Sequence, residues 1–352
     1  MVYPMRFRKA GGFTPSEKLL ADVCERSFLS LWSYPNLFRK PGKELCDLLV
    51  VFGDEVVIFS DKSCAYPETG DAALDWNRWY RRSIADSAHQ ISRAENWLRK
   101  SPDRVFLDPK GLNPIPLSLP SADKLQVRRV CIALGASERT KAETDRRDLR
   151  VSAITEGGAD RFTVGSAIHD MGSFMSLTKI HYLLCYPSCQ RFLISLIILK
   201  RKKSYLTLVV SPSRIRSLIF SHILWNNREF PIPEPAPFRL DPNLWQQVES
   251  DRQFLAAREE NRVGSFWDRL IEYLTDLFMT EQLELGNEMA VAGYERAVRV
   301  MAAETRFSRR ILAKWILERA QLARQGYIAQ LLSLAAGGRA LCAPGRTWGG
   351  PA

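Results

Sequence analysis

The stretch Glu44–Lys62 reads ELCDLLVVFGDEVVIFSDK and decides the fold of the N-terminal part of the chain. Its two apolar runs, Leu48–Phe52 and Val56–Phe59, are rich in Val, Ile, Leu and Phe, as buried strands are. The pair Gly53-Asp54 between them is typical of a two-residue hairpin turn. We therefore predict two antiparallel strands joined by a tight turn.

The register of this hairpin brings polar residues together at one end. With a two-residue loop, Asp47 lies directly opposite Ser60, and directly opposed residues share a face of the sheet. Lys62, two residues beyond Ser60, returns to the same face. The hairpin is thus predicted to gather a carboxylate, a hydroxyl and an ammonium group. A buried hairpin that merely has a polar end is the other interpretation of these residues.

This grouping resembles the PD-(D/E)xK nuclease superfamily, whose motif sets an Asp on one strand and acid-x-Lys on the next. The resemblance implies that Asp47 and Lys62 act with Mg²⁺ beside a scissile phosphate. Ser60 departs from the motif, because the second acid should stand there. Asp61 replaces it only if a bulge turns it onto the active face, and Glu44 reaches the metal only from an irregular start of its strand. The stretch also resembles one in uncharacterised bacterial proteins, which implies no function.

The resemblance extends to two helices. In the superfamily a glutamate on the first helix often joins the metal site, which makes Glu25, or second to it Glu17, a candidate here. A solvated helix charge is the other interpretation of either residue. Some members carry a glutamine on the helix after the lysine, and Gln90 matches it. The aromatic residue expected four positions later is Ala94, so this match is loose.

The order of predicted elements agrees with a restriction-endonuclease-like core of the αβββαβ type, an α/β (α+β) fold. A capping box at residues 14–17 opens a helix that we expect to end near Ser33. A strand at 34–40, the hairpin, a helix at 72–99 and a strand at 127–134 follow. Residues 104–107 are a further short strand candidate. Many α/β domains share such an order, so it does not by itself establish function.

We divide the chain into four parts. Residues 1–140 form the nuclease-like domain, 141–235 a linker with a basic segment, 236–335 a helical region and 336–352 a disordered tail. The stretch 135–163 is predicted as a linker or surface excursion. Apolar periodicity predicts the C-terminal helices at residues 244–262, 266–278, 290–303 and 307–334, the last as one helix or two.

The net charge of +11 belongs mainly to one segment. Residues 171–228 contain nine Lys or Arg and no Asp or Glu, and they alternate apolar runs with a basic run at 200–203. This pattern is compatible with an element that binds nucleic acid or lies at a membrane edge, and also with an exposed basic turn. It also has the composition of a stretch translated out of frame, which we hypothesise with equal weight. The net charge is therefore no evidence for DNA binding.

Other classes of function are not indicated by the sequence. It contains no phosphate-binding loop, nucleophile elbow, zinc-protease motif or dinucleotide fingerprint. The seven cysteines suggest no disulfide framework, and the apolar run 192–199 is too short to span a membrane. We expect a cytoplasmic protein that acts on DNA or RNA with Mg²⁺, and protein partners are left open. The alternatives are a non-catalytic nucleic-acid- or protein-binding module with a decayed site, or an unrelated enzyme.

Overall fold

A computed structural model describes residues 6–145, 149–156, 158–166, 180–183, 209–210, 250–284, 286, 288–324, 334–335 and 339–340. Within these residues a mixed α/β unit occupies the N-terminal part and helices occupy the C-terminal part. The coarse α/β class predicted from the sequence is confirmed.

The elements have the following bounds. The strands are β1 (Ser33–Lys40), β2 (Lys43–Phe52), β3 (Glu55–Ser63), β4 (Gln126–Leu134), β5 (Arg150–Glu156), β6 (Thr163–Ser166), β7 (Ile180–Leu183), β8 (Val209–Val210), β9 (Leu334–Ala335) and β10 (Arg339–Ala340). The helices are α1 (Pro15–Phe28), α2 (Ala72–Tyr80), α3 (Asp86–Lys100), α4 (Ser137–Thr144), α5 (Arg252–Met279), α6 (Val291–Ala303) and α7 (Arg306–Arg324).

Helix α1 begins as predicted and ends earlier than predicted. Thr14 Oγ1 accepts a hydrogen bond from the Glu17 backbone N–H, and the Glu17 carboxylate accepts one from the Thr14 N–H. This reciprocal pair is the predicted capping box. Leu29 then takes a positive φ of 68°, and a short 3₁₀ turn at Ser30–Trp32 leads into β1. Residues 29–32, which were predicted to be helical, instead form the connection from α1 to the sheet.

The main sheet has the order β1-β2-β3-β4-β7-β8. Its first three strands are antiparallel neighbours, and β4, β7 and β8 run parallel to β3. The predicted hairpin register is confirmed from Leu48↔Phe59 to Phe52↔Glu55. Gly53 takes a φ of 59° in the two-residue loop, a backbone that glycine adopts without steric cost.

The helical segment after β3 contains an irregular turn that the sequence did not predict. A π turn at Arg81–Ala85 joins α2 to α3 without breaking the helix. Apolar residues at helical spacing predict a core-facing side of this segment, and these side chains are buried, namely Trp76, Tyr80, Ile84, Ile91 and Leu98. The carbonyl of Ser83 in the π turn accepts hydrogen bonds from the Ser87 hydroxyl and the Cys131 thiol. These side chains satisfy a carbonyl at the point where the helix is irregular.

The helices α1 and α3 lie on opposite faces of the sheet. Ser60 on β3 donates a hydrogen bond to Gln90 of α3. The hydroxyl of Ser16 on α1 lies close enough to Asp61, the next residue of β3, to lower its pKa. Because successive strand residues point to opposite faces, the two helices cover different sides. The N-terminal unit is therefore a helix–sheet–helix sandwich.

Three predicted boundaries are wrong. Residues 104–107 form no strand, because Phe106 makes only isolated bridges, to Phe38 and Pro114. The stretch 135–163 is not a plain linker, since it contains α4 and the parallel pair β5–β6. The helices predicted at 244–262 and 266–278 are one helix, α5. A glycine inside a helix costs only about 1 kcal/mol, and the buried Trp267, Ile271 and Phe278 anchor α5 beyond Gly264.

Several predictions fall mostly on residues outside those described. Of 171–228, only β7 and β8 are described, and both extend the main sheet. The runs 192–199 and 200–203 lie outside, so the frame hypothesis stays a prediction. Helix α7 is described to Arg324, and of the tail only Arg339 and Ala340 are described, paired with β9. The domain boundaries likewise stay predictions.

The C-terminal helices share one core with the N-terminal unit. Trp32 Nε1 donates to Glu295 Oε1 of α6 at 2.7 Å, and the Ser30 hydroxyl donates to Glu272 of α5 at 2.6 Å. Buried Trp267, Ile271 and Phe278 belong to the same apolar cluster as the sheet. Among the described helices, none is long and apolar enough to cross a membrane.

Candidate active site

Asp47 lies on β2 at the end of the β2–β3 ladder, with 5% of its surface exposed. The paired register stops at Leu48↔Phe59, so the backbone N–H of Asp61 is available to a side chain. Asp47 Oδ2 accepts a hydrogen bond from this N–H, and Oδ1 accepts one from Gln90 Nε2 at 3.1 Å. Asp47 is thereby held in a single orientation by β3 on one side and α3 on the other.

The Gln90 amide joins Asp47 to Ser60. While its nitrogen donates to Asp47, its Oε1 accepts a hydrogen bond from Ser60 Oγ at 3.0 Å. Ser60 is fully buried, so this bond satisfies a hydroxyl that water does not reach. The structure therefore brings three residues that the sequence singled out, Asp47, Ser60 and Gln90, into one hydrogen-bonded chain.

Asp61 does not replace Ser60 in the way the motif requires. Strand β3 pairs with β4 residue by residue from Glu55↔Gln126 to Ser63↔Leu134, without a register shift. The bulge needed to turn Asp61 onto the face of Ser60 is absent from this pairing. Because side chains alternate along a regular strand, Asp61 points to the α1 side of the sheet.

The Asp61 carboxylate is buried without satisfying hydrogen bonds. Only 7% of the residue is exposed, and neither side-chain oxygen has a hydrogen-bond partner of normal geometry among the described residues. Burial raises its pKa to about 6, the Ser16 hydroxyl acts in the opposite direction, and Asp47 and Glu17 raise it further. This side chain is the least satisfied carboxylate of the site.

Lys62 and Glu44 complete the electrostatic surroundings. Lys62 is half-buried, and its charge lowers the pKa values of Asp47, Asp61 and Glu44. The pKa of Asp47 is nevertheless raised, because its burial outweighs Lys62 and the two hydrogen bonds. The pKa of Glu44 is raised by partial desolvation and then by Asp47 and Glu17. Among the described residues, Lys62 is the cation whose charge acts on all three carboxylates.

The glutamate of α1 that joins this group is Glu17, and Glu25 lies elsewhere. Glu17 raises the pKa of Asp47, Asp61 and Glu44. The pKa of Glu25 is raised by burial and shaped by Lys9 and Glu272, on the side of the C-terminal helices. The capping box fixes Glu17 in the first turn of α1, but the sequence does not show that this turn packs at the site.

Two polar residues of this region were not singled out as site residues from the sequence. Asn36 on β1 is fully buried at a positive φ of 51°, and its Nδ2 donates to Glu17 Oε2 at 3.3 Å. The hydroxyl of Ser16, in the first turn of α1, lowers the pKa of Asp61. Neither carries a recognisable motif, because each enters only through the packing of α1 against the sheet.

The described residues offer a divalent cation at most two carboxylates, and Asp47 and Asp61 lie on opposite sides of the sheet. Among the described residues, no group of three His, Cys, Asp or Glu side chains is placed to hold a metal ion. The predicted set of Asp47, Asp61 and Glu44 is thus not gathered as a three-ligand site. The unsatisfied oxygens of Asp61 are hard donors of the kind that Mg²⁺ prefers, whereas both oxygens of Asp47 already accept hydrogen bonds. Mg²⁺ is commonly bound by one or two carboxylates, with water and phosphate as its other ligands.

Comparison of the chain with protein-family models, with curated proteins and with solved structures found no match in any of the three. The resemblance to the PD-(D/E)xK superfamily accordingly stays a prediction. The inference about function rests on the geometry of Asp47, Asp61, Lys62 and Gln90.

Proposed function

We propose that the protein hydrolyses phosphodiester bonds of DNA or RNA in a Mg²⁺-dependent reaction, at a site formed by Asp47, Asp61 and Lys62. The observation that carries this proposal is the unsatisfied Asp61 carboxylate, which is buried where the charge of Asp47 raises its pKa. A buried carboxylate without partners is costly. A bound cation would offset that cost more fully than the Ser16 hydroxyl and the charge of Lys62 do.

The topology of the N-terminal unit supports the same proposal. Its elements follow the order helix, three antiparallel strands, helix and a strand parallel to the third. We propose that this unit is a divergent restriction-endonuclease-like core, with β7 and β8 as additions at its far edge. In such a core the polar end of the β2–β3 hairpin is the active site, which is where Asp47 and Lys62 lie.

Each residue has a distinct role in this proposal. When bound, Mg²⁺ supplies a Lewis acid and lowers the pKa of a coordinated water. Asp47 and Asp61 would hold it, from the two sides of the sheet. Lys62 places a positive charge beside both, where it favours the negative charge that develops on a phosphate in the transition state. Gln90 positions Asp47, and Ser60 in turn holds the Gln90 amide.

The second candidate function is a nucleic-acid- or protein-binding module with a decayed site. Two observations favour it: both oxygens of Asp47 already accept hydrogen bonds, and Ser60 stands where the superfamily has an acid. In that case the chain of Asp47, Gln90 and Ser60 is a structural network. Lys62 then compensates the buried carboxylates and has no catalytic role.

Incubation with labelled single- and double-stranded DNA and RNA separates the two functions. The nuclease predicts products that appear with Mg²⁺ or Mn²⁺ and not with EDTA, and that are lost in both Asp47→Ala and Lys62→Ala. The binding module predicts intact substrate in every arm. Well-folded protein that leaves all four substrates intact would contradict the proposed activity.

A further inference from the structure

Three positively charged side chains surround the indole of Trp97 on α3. The distance from the ring centroid is 5.4 Å to Lys40 Nζ, 5.6 Å to Arg39 Cζ and 5.8 Å to Arg104 Cζ. Arg39 and Lys40 end β1, whereas Arg104 follows α3. Separate segments of the chain thus bring their cations to one aromatic ring. We call these four residues, together with Lys43, the Trp97 platform.

The ring of Trp97 is fixed and only partly covered. Its Nε1 donates to the Arg104 carbonyl at 2.8 Å, which sets the orientation of the indole. The residue is half-buried: it packs against the core and keeps part of its surface exposed. Trp79, by contrast, is only 1% exposed and donates to the Cys64 carbonyl. Of these two tryptophans, Trp97 is the one with surface left for a ligand.

The cations of the Trp97 platform form no ion pair with a carboxylate among the described residues. Lys40 is directly paired with Lys43 across the turn between β1 and β2, and like charges in that position repel. Within the described residues no salt bridge involves Arg39, Lys40, Lys43 or Arg104. Arg99 on the same helix is paired with Glu95, so carboxylates do neutralise a neighbouring cation. A polyanion would remove the repulsion that the platform retains.

We infer that the Trp97 platform binds single-stranded nucleic acid. A strand offers repeated phosphates to the cations and an unstacked base to the indole, and the combination of a basic surface with an exposed aromatic ring suits both. A duplex keeps its bases stacked and presents phosphates alone. An anionic membrane surface would call for an amphipathic helix with several apolar side chains, and the platform has one aromatic ring.

The platform lies next to the candidate active site along β2. Lys43 precedes Asp47 by four residues, which is roughly 13 Å along a strand. That distance corresponds to about four nucleotides of a helical strand. The claim that the bound strand continues to Asp47 rests on the proposed function, whereas the claim of binding at Trp97 does not.

Fluorescence anisotropy of labelled 15-nucleotide DNA and RNA strands, measured in EDTA, tests the inference. Trp97→Ala should weaken binding by roughly 10- to 100-fold, because base stacking is lost. Trp97→Phe should retain most of the affinity. Lys40→Gln and Arg104→Gln should each lower the slope of log affinity against log salt by about 0.7. Lys141→Gln, an exposed cation on α4, is the matched control and should behave as wild type.

The outcomes separate this inference from the proposed activity. Binding that depends on the platform in a protein without nuclease activity upholds the inference alone. Cleavage that proceeds normally, with binding unaffected by the Trp97 and Lys40 variants, overturns it alone. Wild-type protein that binds phosphatidylserine vesicles and neither oligonucleotide also overturns it. Because Trp97→Ala removes core contacts, the charge variants, which do not, decide the matter if that variant fails to fold.

Discussion

The side-chain amide of Gln90 donates a hydrogen bond to Asp47 Oδ1 at 3.1 Å, across the space between α3 and β2. This bond lowers the pKa of Asp47, opposing the effect of burial. Gln90 therefore helps to keep a buried acid in its charged form.

Replacing Gln90 with Glu should raise the pKa of Asp47 further. A carboxylate cannot donate the hydrogen bond, and its charge disfavours ionisation of its neighbour. We expect the acid limb of the pH–rate profile to move upward by about one unit. Gln126→Glu, at the exposed start of β4, should leave the profile in place. A Gln90→Glu enzyme with the wild-type acid limb would show that the amide does not tune Asp47.

The buried Asp61 should make stability fall as pH rises. Its pKa is about 6 in the folded protein and about 3.9 in an unfolded chain, so between these values the folded state binds the extra proton. Protonation of Asp61 therefore stabilises the folded state relative to the unfolded state at low pH, and this contribution is lost as pH rises through 6. Urea unfolding should show wild type losing about 1–3 kcal/mol relative to Asp61→Asn between pH 4 and pH 7.

Magnesium extends the same comparison. At pH 7.5, Mg²⁺ should raise the unfolding midpoint of wild type and not that of Asp61→Asn, because ligands that bind only the folded state stabilise it. Asp22→Asn, which removes an exposed carboxylate on α1, is the control and should follow wild type in both series.

In the pH series, a pH-independent difference between wild type and Asp61→Asn would contradict the assignment of the titration to Asp61.

Gly135, which follows β4, is constrained by its neighbours as well as by its backbone. Its φ is 108°, and an added Cβ would collide with the Cys64 carbonyl oxygen. Gly70 has a similar φ of 92°, but open space surrounds its Cβ position. We expect Gly135→Ala to destabilise the fold by about 3 kcal/mol or more and Gly70→Ala by about 1 kcal/mol. Equal losses in urea unfolding would mean that backbone strain alone decides both.

The bond from Trp32 Nε1 to Glu295 should contribute measurably to holding α6 on the N-terminal unit. It is buried and 2.7 Å long, and it involves a charged acceptor. Trp32→Phe should cost about 2–4 kcal/mol in the free energy of unfolding, through the lost bond and the lost ring volume. Trp315→Phe is the matched control, because that half-buried indole makes no such bond among the described residues. A larger loss for Trp315→Phe would contradict this account.

The features predictable from the sequence are those with a local cause. The hairpin register follows from two apolar runs around Gly53-Asp54, and the start of α1 follows from the capping box. The inward side chains of α2 and α3 follow from helical periodicity. The continuity of α5 was missed, because Gly264 suggests a break and only the packing of Trp267 and Ile271 shows that the helix persists.

The features that could not be predicted depend on how separate elements meet. Glu17 joins the site and Glu25 does not, because α1 ends at Phe28 and lies with its first turn at the polar end of the hairpin. The regular β3–β4 pairing, which keeps Asp61 on the α1 side, was not visible in the Ser60-Asp61-Lys62 sequence. The Trp97 platform combines residues from β1, α3 and the loop after α3, and no single stretch contains its pattern.

The rate of cleavage of labelled nucleic acid with Mg²⁺ tests the central claim most directly. We expect Asp47→Asn and Lys62→Met each to lower the rate by roughly 100-fold or more. The first removes the charge of a proposed metal ligand, and the second removes a positive charge that stabilises the transition state. The matched exposed variants Asp103→Asn and Lys124→Met should stay within about twofold of wild type, as surface charges away from a site usually do. Urea unfolding would show that all four proteins are folded. Metal-dependent cleavage that survives both Asp47→Asn and Lys62→Met, or no cleavage by folded wild-type protein, would contradict the account.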